Sequence, residues 1–151
     1  MGERTTFKTN RARTPGYLAR PAKPGQASSS FRNGWGLSRI SSMWPIRFAS
    51  EGFVALAPDV YHGQTAKSPD EAGKLMMSLR VDDAEPDLAG AIDYLTALPD
   101  VIASRISRVG TIGFCMGGAL SLFAASKNPE GGACVVFYGI QLAFLRRERH
   151  A

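Results

Sequence analysis

A glycine-rich turn at residues 113–118, with the sequence GFCMGG, joins a short apolar run to a run of good helix formers. Residues 108–113 are predicted to form a buried strand, and residues 119–125 to form a helix. A strand followed at once by a helix is typical of parallel sheets, because the crossover connection must return over one face of the sheet. This feature predicts an α/β fold and places Cys115 at the turn between strand and helix.

Cys115 therefore lies at a position that makes a thiol more reactive. Gly113 and Gly117 allow the tight turn of a nucleophile elbow, which Gly118 completes, and the positive end of a helix favours a thiolate. We expect the backbone N–H of Met116 to face the oxyanion that forms when Cys115 attacks a carbonyl. The alternative is that Cys115 is a small core residue, because free cysteine is among the most buried residue types.

The length and composition limit which classes of protein this chain can belong to. A chain of 151 residues that is 44% apolar can bury a core, and its length predicts one domain. Neither an apolar run of about eighteen residues nor a charged and then apolar leader is present in the sequence. We therefore expect a cytoplasmic protein with no membrane partner.

The two cysteines, Cys115 and Cys134, do not form a metal-binding pattern. They lack the spacing of a C-x-x-C or His/Cys zinc motif, and two cysteines do not make a disulfide framework. Cys134 lies in an apolar run and is predicted to be a core residue. The sequence thus predicts no metal, and no motif in it suggests a cofactor.

The net charge of +5 raises the question of a nucleic-acid partner. The positive excess comes from arginines at residues 11–13, 32–47 and 146–149, and no basic helix interleaved with aromatic residues accompanies them. A charge excess of this kind affects solubility and nonspecific association rather than fold. We expect no nucleic-acid partner.

The rest of the chain alternates predicted strands with predicted helices. Strands are predicted at residues 5–8, 16–21, 53–59, 108–113 and 132–140. Helices are predicted at residues 69–79, 85–98 and 119–125, with a further helix ending at Gly52. The first two strands are expected to be antiparallel edge strands across a turn at Pro15-Gly16, and the others to form a parallel, doubly wound sheet.

The longer predicted helix has one apolar face. Its apolar residues recur at helical spacing and are expected to pack on the sheet; they are Leu88, Ala91, Ile92, Leu95 and Leu98. Its acidic residues are expected to cap the helix and to face solvent; they are Asp82, Asp83, Asp87 and Asp93. No carboxylate pair in the sequence indicates acid–base chemistry.

Residues 26–47 are rich in Ser and Arg, with neither a β-branched run nor a helical stripe, so no core element is predicted there.

The loop after the predicted strand at 53–59 carries Tyr61 and His62 at the edge of the sheet where α/β proteins place ligands. Tyr61, His62 and Tyr138 are candidate pocket residues, although a lone loop histidine is often only solvated.

These motifs resemble the dienelactone hydrolase family of α/β-hydrolases. The likeness is carried by residues 15–21, 35–37, 47–61, 109–119 and 136–139, and covers most of residues 5–140. It implies an α/β-hydrolase three-layer sandwich with a mostly parallel sheet, incomplete at its C-terminus. It also implies a cytoplasmic hydrolase of small-molecule carboxylic esters or lactones that uses a Cys-Asp-His triad and no cofactor.

The resemblance assigns Cys115 as the nucleophile and Met116 as a backbone donor of the oxyanion hole. The triad acid and base follow the nucleophile along the chain in α/β-hydrolases, yet residues 116–151 contain no aspartate. Glu148 and His150 lie in an Arg-rich tail at residues 141–151 that does not match the family. We therefore expect a single partial domain whose triad is incomplete.

A second departure lies at residues 26–46. Arg32-Asn33 stands where the family has Gln-Glu, which supplies the other oxyanion N–H at the end of a central strand. We hypothesise that this segment is read in a shifted frame. Residues 40–46 can be encoded so that the neighbouring frame reads Asn-Ile-Leu-Asp-Val-Ala-Asp, which restores an apolar helical stripe.

Three functions remain open from the sequence. The first is a cysteine hydrolase of strongly reduced activity, because the members of a triad act as a unit. The second is a noncatalytic remnant of the fold, with a residual binding role or none. The third is a thiol redox sensor, for which no resolving cysteine is evident. The oligomeric state is not predicted.

Overall fold

A six-stranded sheet forms the centre of the structure, which is a computed structural model that describes residues 2–31, 35–102, 109–128 and 132–139. Its strands are β1 (Gly2–Lys8), β2 (Arg13–Ala19), β3 (Gln26–Phe31), β4 (Phe53–Pro58), β5 (Gly110–Phe114) and β6 (Cys134–Phe137). The helices in this part of the chain are α1 (Arg39–Ser50), α2 (Pro69–Ser78), α3 (Val81–Thr96) and α4 (Met116–Lys127).

The strands are arranged in the order β1-β2-β4-β3-β5-β6. The last four strands in this order are parallel to one another, while β1 and β2 pair antiparallel and β2 also runs antiparallel to β4. The sheet is therefore mixed but mostly parallel. Strands β4, β3 and β5 end at the same edge of the sheet, so the loops that follow them lie together.

The helices cover both faces of the sheet and give the three layers that were predicted. Leu56 of β4 clusters with Ala91 and Leu95 of α3, and α4 packs beside α3. Phe53, whose side chain lies on the other face of β4, has its ring 6.3 Å from that of Phe48 in α1. Helix α1 thus covers one face, and α3 and α4 cover the other.

The predicted turn between the first two strands was wrong. Pro15-Gly16 lies inside β2, and the turn lies at residues 9–12. There the N–H and hydroxyl of Thr9 donate to the carbonyl of Ala12 at 2.8 and 3.0 Å, and the N–H of Ala12 donates to the Thr9 hydroxyl at 3.0 Å. The hydrogen bonds of the threonine hydroxyl stabilise this turn, so the turn needs no glycine. Strand β2 is also not an edge strand, because it pairs with both β1 and β4.

The segment at residues 26–47 contains a central strand and part of a helix, contrary to the prediction that it holds no core element. Ser28 of β3 pairs with Ala55 of β4 on one side and with Gly110 of β5 on the other. Strand β3 forms because its backbone pairs with a strand on each side. Tertiary contacts of this kind outweigh the low strand propensity of its serines. The hydroxyls of Ser29 and Ser30 are buried there with no hydrogen-bond partner among the described residues.

The strand predicted at 132–140 is present over a shorter range but is not buried. Among the residues that the structure describes, β6 pairs only with β5. The side chains of Val135, Val136 and Phe137 are 42 to 44% exposed. Cys134, predicted to be a core residue, is only partly buried, and its Sγ lies 3.5 Å from the hydroxyl of Ser121. Within the described residues β6 is therefore the last strand of the sheet, and its apolar side chains are partly exposed.

Candidate active site

Cys115 lies at the turn between β5 and α4, and the predicted strand–turn–helix is present. Its backbone has φ 57° and ψ −126°, a region that residues other than glycine rarely adopt. Two backbone hydrogen bonds hold it there: its N–H donates to Phe137 at 3.1 Å, and its carbonyl accepts from Gly118 at 2.9 Å. Such a strained residue persists only where its surroundings fix it, and strained residues of this kind concentrate at functional sites.

Two glycines make this turn possible. A Cβ on Gly113 would collide with the carbonyl group of Gly117. A Cβ on Gly118 would lie 3.0 Å from both the Cα of Gly139 and the Cγ1 of Val136. The spacing of glycines in the elbow is therefore required by the close approach of α4 to β5 on one side and to the chain after β6 on the other.

Met116 is the first residue of α4 and is buried. The first four N–H groups of an α-helix have no intrahelical partners, so the N–H of Met116 is not used by the helix itself. The positive end of the helix dipole adds to the attraction of this position for negative charge. Met116 therefore has the location expected of an oxyanion donor next to Cys115.

Tyr61 is brought to the elbow from the loop after β4. Its side chain is 5% exposed, and its hydroxyl donates a hydrogen bond of 3.3 Å to the Sδ of Met116. Burial, with further contributions from the negative charges of Asp59 and Cys115, raises the pKa of Tyr61 to about 12. Tyr61 also lines a small cavity with Leu37 and Leu120. It is thus a protonated donor buried beside the elbow.

Asp59 fixes the shape of this loop. Its buried carboxylate accepts hydrogen bonds from the N–H of Tyr61 at 3.2 Å and of Gly63 at 2.8 Å. The N–H of His62 donates to the carbonyl of Asp59 at 3.1 Å. Asp59 was not predicted as a site residue, although an aspartate directly after a strand often caps the following turn in this way.

His62 contacts Asp87, and the prediction that Asp87 faces solvent was wrong. The Nε2 of His62, a residue at φ 51°, lies 2.9 Å from one carboxylate oxygen of Asp87. The other oxygen of Asp87 accepts a hydrogen bond from the hydroxyl of Thr14. Asp87 precedes Ala91 by four residues and so belongs to the apolar face of α3, which is a signal the sequence contained.

Tyr138, the third candidate pocket residue, lies after β6 at φ 38° and is 76% exposed. Its ring centroid is 6.2 Å from that of Phe114, which stacks on Phe137 at 4.9 Å. Cys115, His62 and Tyr138 are the non-glycine residues with positive φ in the described part of the chain. Each follows a parallel strand, so all three stand along the carboxyl edge of the sheet.

The complete triad is not assembled from the described residues. His62 is paired with Asp87 of α3, and Arg32-Asn33, Glu148 and His150 lie outside the residues that the structure describes. Within the described ranges, no cluster of three His, Cys, Asp or Glu side chains could hold a metal ion. In the same ranges, no helix is long and apolar enough to cross a bilayer.

The sheet order, the helices on both faces and the strained strand–turn–helix at Cys115 define an α/β-hydrolase fold. The chain belongs to the dienelactone hydrolase family, whose model matches residues 14–150.

Several known proteins resemble the chain. It is 39% identical over 147 residues to protein usf of Aquifex pyrophilus, with 93% of this chain and 62% of that protein covered. It is 37% identical, with the same coverage, to a protein of Aquifex aeolicus named provisionally as a carboxymethylenebutenolidase. Among solved structures, it matches the dienelactone hydrolase-like promiscuous phosphotriesterase P91 from metagenomic libraries with a TM-score of 0.77 at 25% identity, covering 92% of this chain and 59% of that one.

The chain spans about three fifths of the length of these two Aquifex proteins.

Proposed function

We propose that the chain carries a cysteine nucleophile for carboxylic ester or lactone bonds in small molecules. The observation that carries this proposal is the strained conformation of Cys115, at φ 57°, where it caps the N-terminus of α4. Membership of the dienelactone hydrolase family supports the same reaction class. Neither nucleic acid nor membrane is part of the proposal.

The reaction would begin with attack of the Cys115 thiolate on the substrate carbonyl carbon. A C–S bond forms, the carbonyl π pair moves to oxygen, and the N–H of Met116 stabilises the resulting oxyanion. Collapse expels the alkoxide, which takes a proton, and leaves an acyl-thioester. Water then attacks the thioester, which releases the carboxylic acid and restores the thiol.

The rate should be far below that of an enzyme with a complete triad. Without an assigned histidine, the thiolate forms only to the extent that the elbow favours it, and no imidazolium protonates the departing alkoxide, which is then a poor leaving group. Loss of triad members costs several orders of magnitude in known hydrolases. A single acylation with an activated ester is therefore the step most easily observed.

The test is a burst experiment with p-nitrophenyl acetate. We expect release of up to one equivalent of nitrophenolate per chain, followed by slow turnover, and loss of the burst in Cys115→Ala. Cys134→Ala is the matched control, because it removes the other thiol and should retain the burst. Equal nitrophenolate release from the wild type and Cys115→Ala would refute the proposed function.

A noncatalytic remnant of the fold is the second candidate. It is favoured by the buried hydroxyls of Ser29 and Ser30, which have no hydrogen-bond partner among the described residues and so lower stability. A cooperative thermal transition together with slow amide exchange in β3, β4 and β5 would argue against this alternative. A broad transition without protected amides would support it.

A further inference from the structure

The loop after β4 is held on each side of Tyr61, by a turn within the loop at Asp59 and by a contact to α3 at His62. Asp59 accepts the N–H groups of Tyr61 and Gly63, which sets the turn. His62 contacts the buried carboxylate of Asp87 on α3 at 2.9 Å. These contacts leave little freedom for the backbone of Tyr61, so the direction of its side chain is set by the fold.

The side chain of Tyr61 is directed into the cluster formed by α3 and α4. It packs with Leu88 of α3 and with Met116 and Leu120 of α4. Its hydroxyl meets the Sδ of Met116 at 3.3 Å. A thioether sulfur is a weak acceptor, and a buried tyrosine hydroxyl normally finds a stronger one, so this pairing calls for an explanation.

Met116 is the residue whose backbone N–H serves the oxyanion in the proposed function. Its side chain is held by Tyr61, and its backbone begins α4 directly after the strained Cys115. An oxyanion donor works only when it is fixed before the reaction at the place where negative charge will develop. A contact that immobilises the Met116 side chain also limits rotation of the peptide that carries this N–H.

We infer that Tyr61 is a positioning residue for the oxyanion donor: its hydroxyl holds the side chain of Met116 and thereby keeps the Met116 N–H directed toward the carbonyl that Cys115 attacks. This inference rests on the proposed function and assigns to Tyr61 a role in carbonyl chemistry rather than only in packing. The raised pKa of Tyr61 supports it, because the hydroxyl remains a donor throughout the pH range in which a thiolate forms.

Two reactions of the same thiol separate this role from a structural one. Acylation of Cys115 by p-nitrophenyl acetate passes through an oxyanion. Alkylation by iodoacetamide does not, because sulfur displaces iodide at a saturated carbon. A residue that acts through the oxyanion donor affects the first rate constant only, whereas a residue that supports the fold or the thiolate affects both.

The experiment measures both second-order rate constants in a Cys134→Ala background, so that only Cys115 reacts. We expect Tyr61→Phe to lower the acylation rate about threefold to tenfold and to change the alkylation rate by less than about twofold. Met116→Leu, which keeps the volume but removes the sulfur, should give the same split. Tyr94→Phe is the matched control, since it removes a hydroxyl that contacts Thr5 far from the elbow.

The outcomes are distinguishable. Equal losses in both rate constants, or no loss in either, would overturn the role of Tyr61 while leaving the nucleophile intact. Alkylation of Cys115 without any acylation in the parent chain would overturn the proposed function itself, and this inference with it. A loss confined to acylation in both Tyr61→Phe and Met116→Leu, with Tyr94→Phe unchanged, confirms the inference.

Discussion

The Nε2 of His62 lies 2.9 Å from a carboxylate oxygen of Asp87, although the His62 side chain is 48% exposed and that of Asp87 only 4%. The pair joins the loop after β4 to α3. Asp87 also accepts a hydrogen bond from the hydroxyl of Thr14 in β2. One buried carboxylate thus connects three segments of the chain, which are β2, the loop after β4 and α3. A buried carboxylate with two partners is costly to disrupt, because both partners lose their acceptor at once.

Replacement of Asp87 should therefore destabilise the protein. We expect Asp87→Ala to lower the free energy of unfolding by about 2 kcal/mol, measured by urea denaturation. Asp93→Ala, on the exposed side of the same helix, is the control and should change it by less than about 0.5 kcal/mol. Similar losses in the two variants would show that the contacts of Asp87 do not contribute.

The ionisation of Tyr61 should make stability fall at high pH. Its pKa is raised from 10.0 to about 12 in the folded chain, mainly by burial and then by the charges of Asp59 and Cys115. The protonated phenol is favoured by folding, so this contribution is complete below pH 10 and is lost as the pH rises toward 12. Relative to Tyr61→Phe, the wild type should lose up to about 3 kcal/mol over this window.

Urea denaturation of the two proteins at several pH values between 9.5 and 12 measures this difference. Because both chains share every other titrating group, the difference isolates Tyr61. Parallel pH dependences for the wild type and Tyr61→Phe would contradict the prediction.

Removal of the unpaired serine hydroxyls should stabilise the sheet. Ser29 and Ser30 bury hydroxyls that find no partner within the described residues, and an unsatisfied buried hydroxyl costs about 1 to 3 kcal/mol. We expect Ser29→Ala and Ser30→Ala each to raise the free energy of unfolding by about 1 kcal/mol. Ser68→Ala should have the opposite sign, because the Ser68 hydroxyl caps α2 by accepting the N–H of Glu71. A loss of stability in Ser29→Ala would contradict this account.

The shifted-frame hypothesis for residues 26–46 stays a prediction, and the gene sequence tests it directly. We expect the codons for residues 40–46 to read Asn-Ile-Leu-Asp-Val-Ala-Asp, or a close variant, in the neighbouring frame. Codons that are incompatible with such a reading would reject the hypothesis.

Local signals were enough to predict the elements next to the elbow. The glycines around Cys115 and the apolar run before it determine a strand, a turn and a helix with little help from the rest of the chain. Strand β4 and helix α2 were predicted for the same reason, since a continuous apolar run and the Ser68-Pro69 start are local features.

The errors arose where distant contacts decide the structure. Strand β3 has poor strand formers at Ser28, Ser29 and Ser30, and it forms because β4 and β5 pair with it on both sides. The exposure of β6 depends on what packs beyond it, which its own apolar sequence does not reveal. The burial of Asp87 follows from Thr14 and His62, which lie far from it along the chain.

The hydrogen bond from the N–H of Cys115 to the carbonyl of Phe137 has a consequence for how this thiol can be used as a probe. One partner belongs to the strained turn and the other to β6, which pairs only with β5 among the described residues, and a strand with one neighbour opens at a lower free energy than a strand with two. Each time β6 separates from β5, Cys115 loses a restraint on its conformation. The rate at which this thiol reacts would then report how often β6 separates, well before the protein unfolds as a whole.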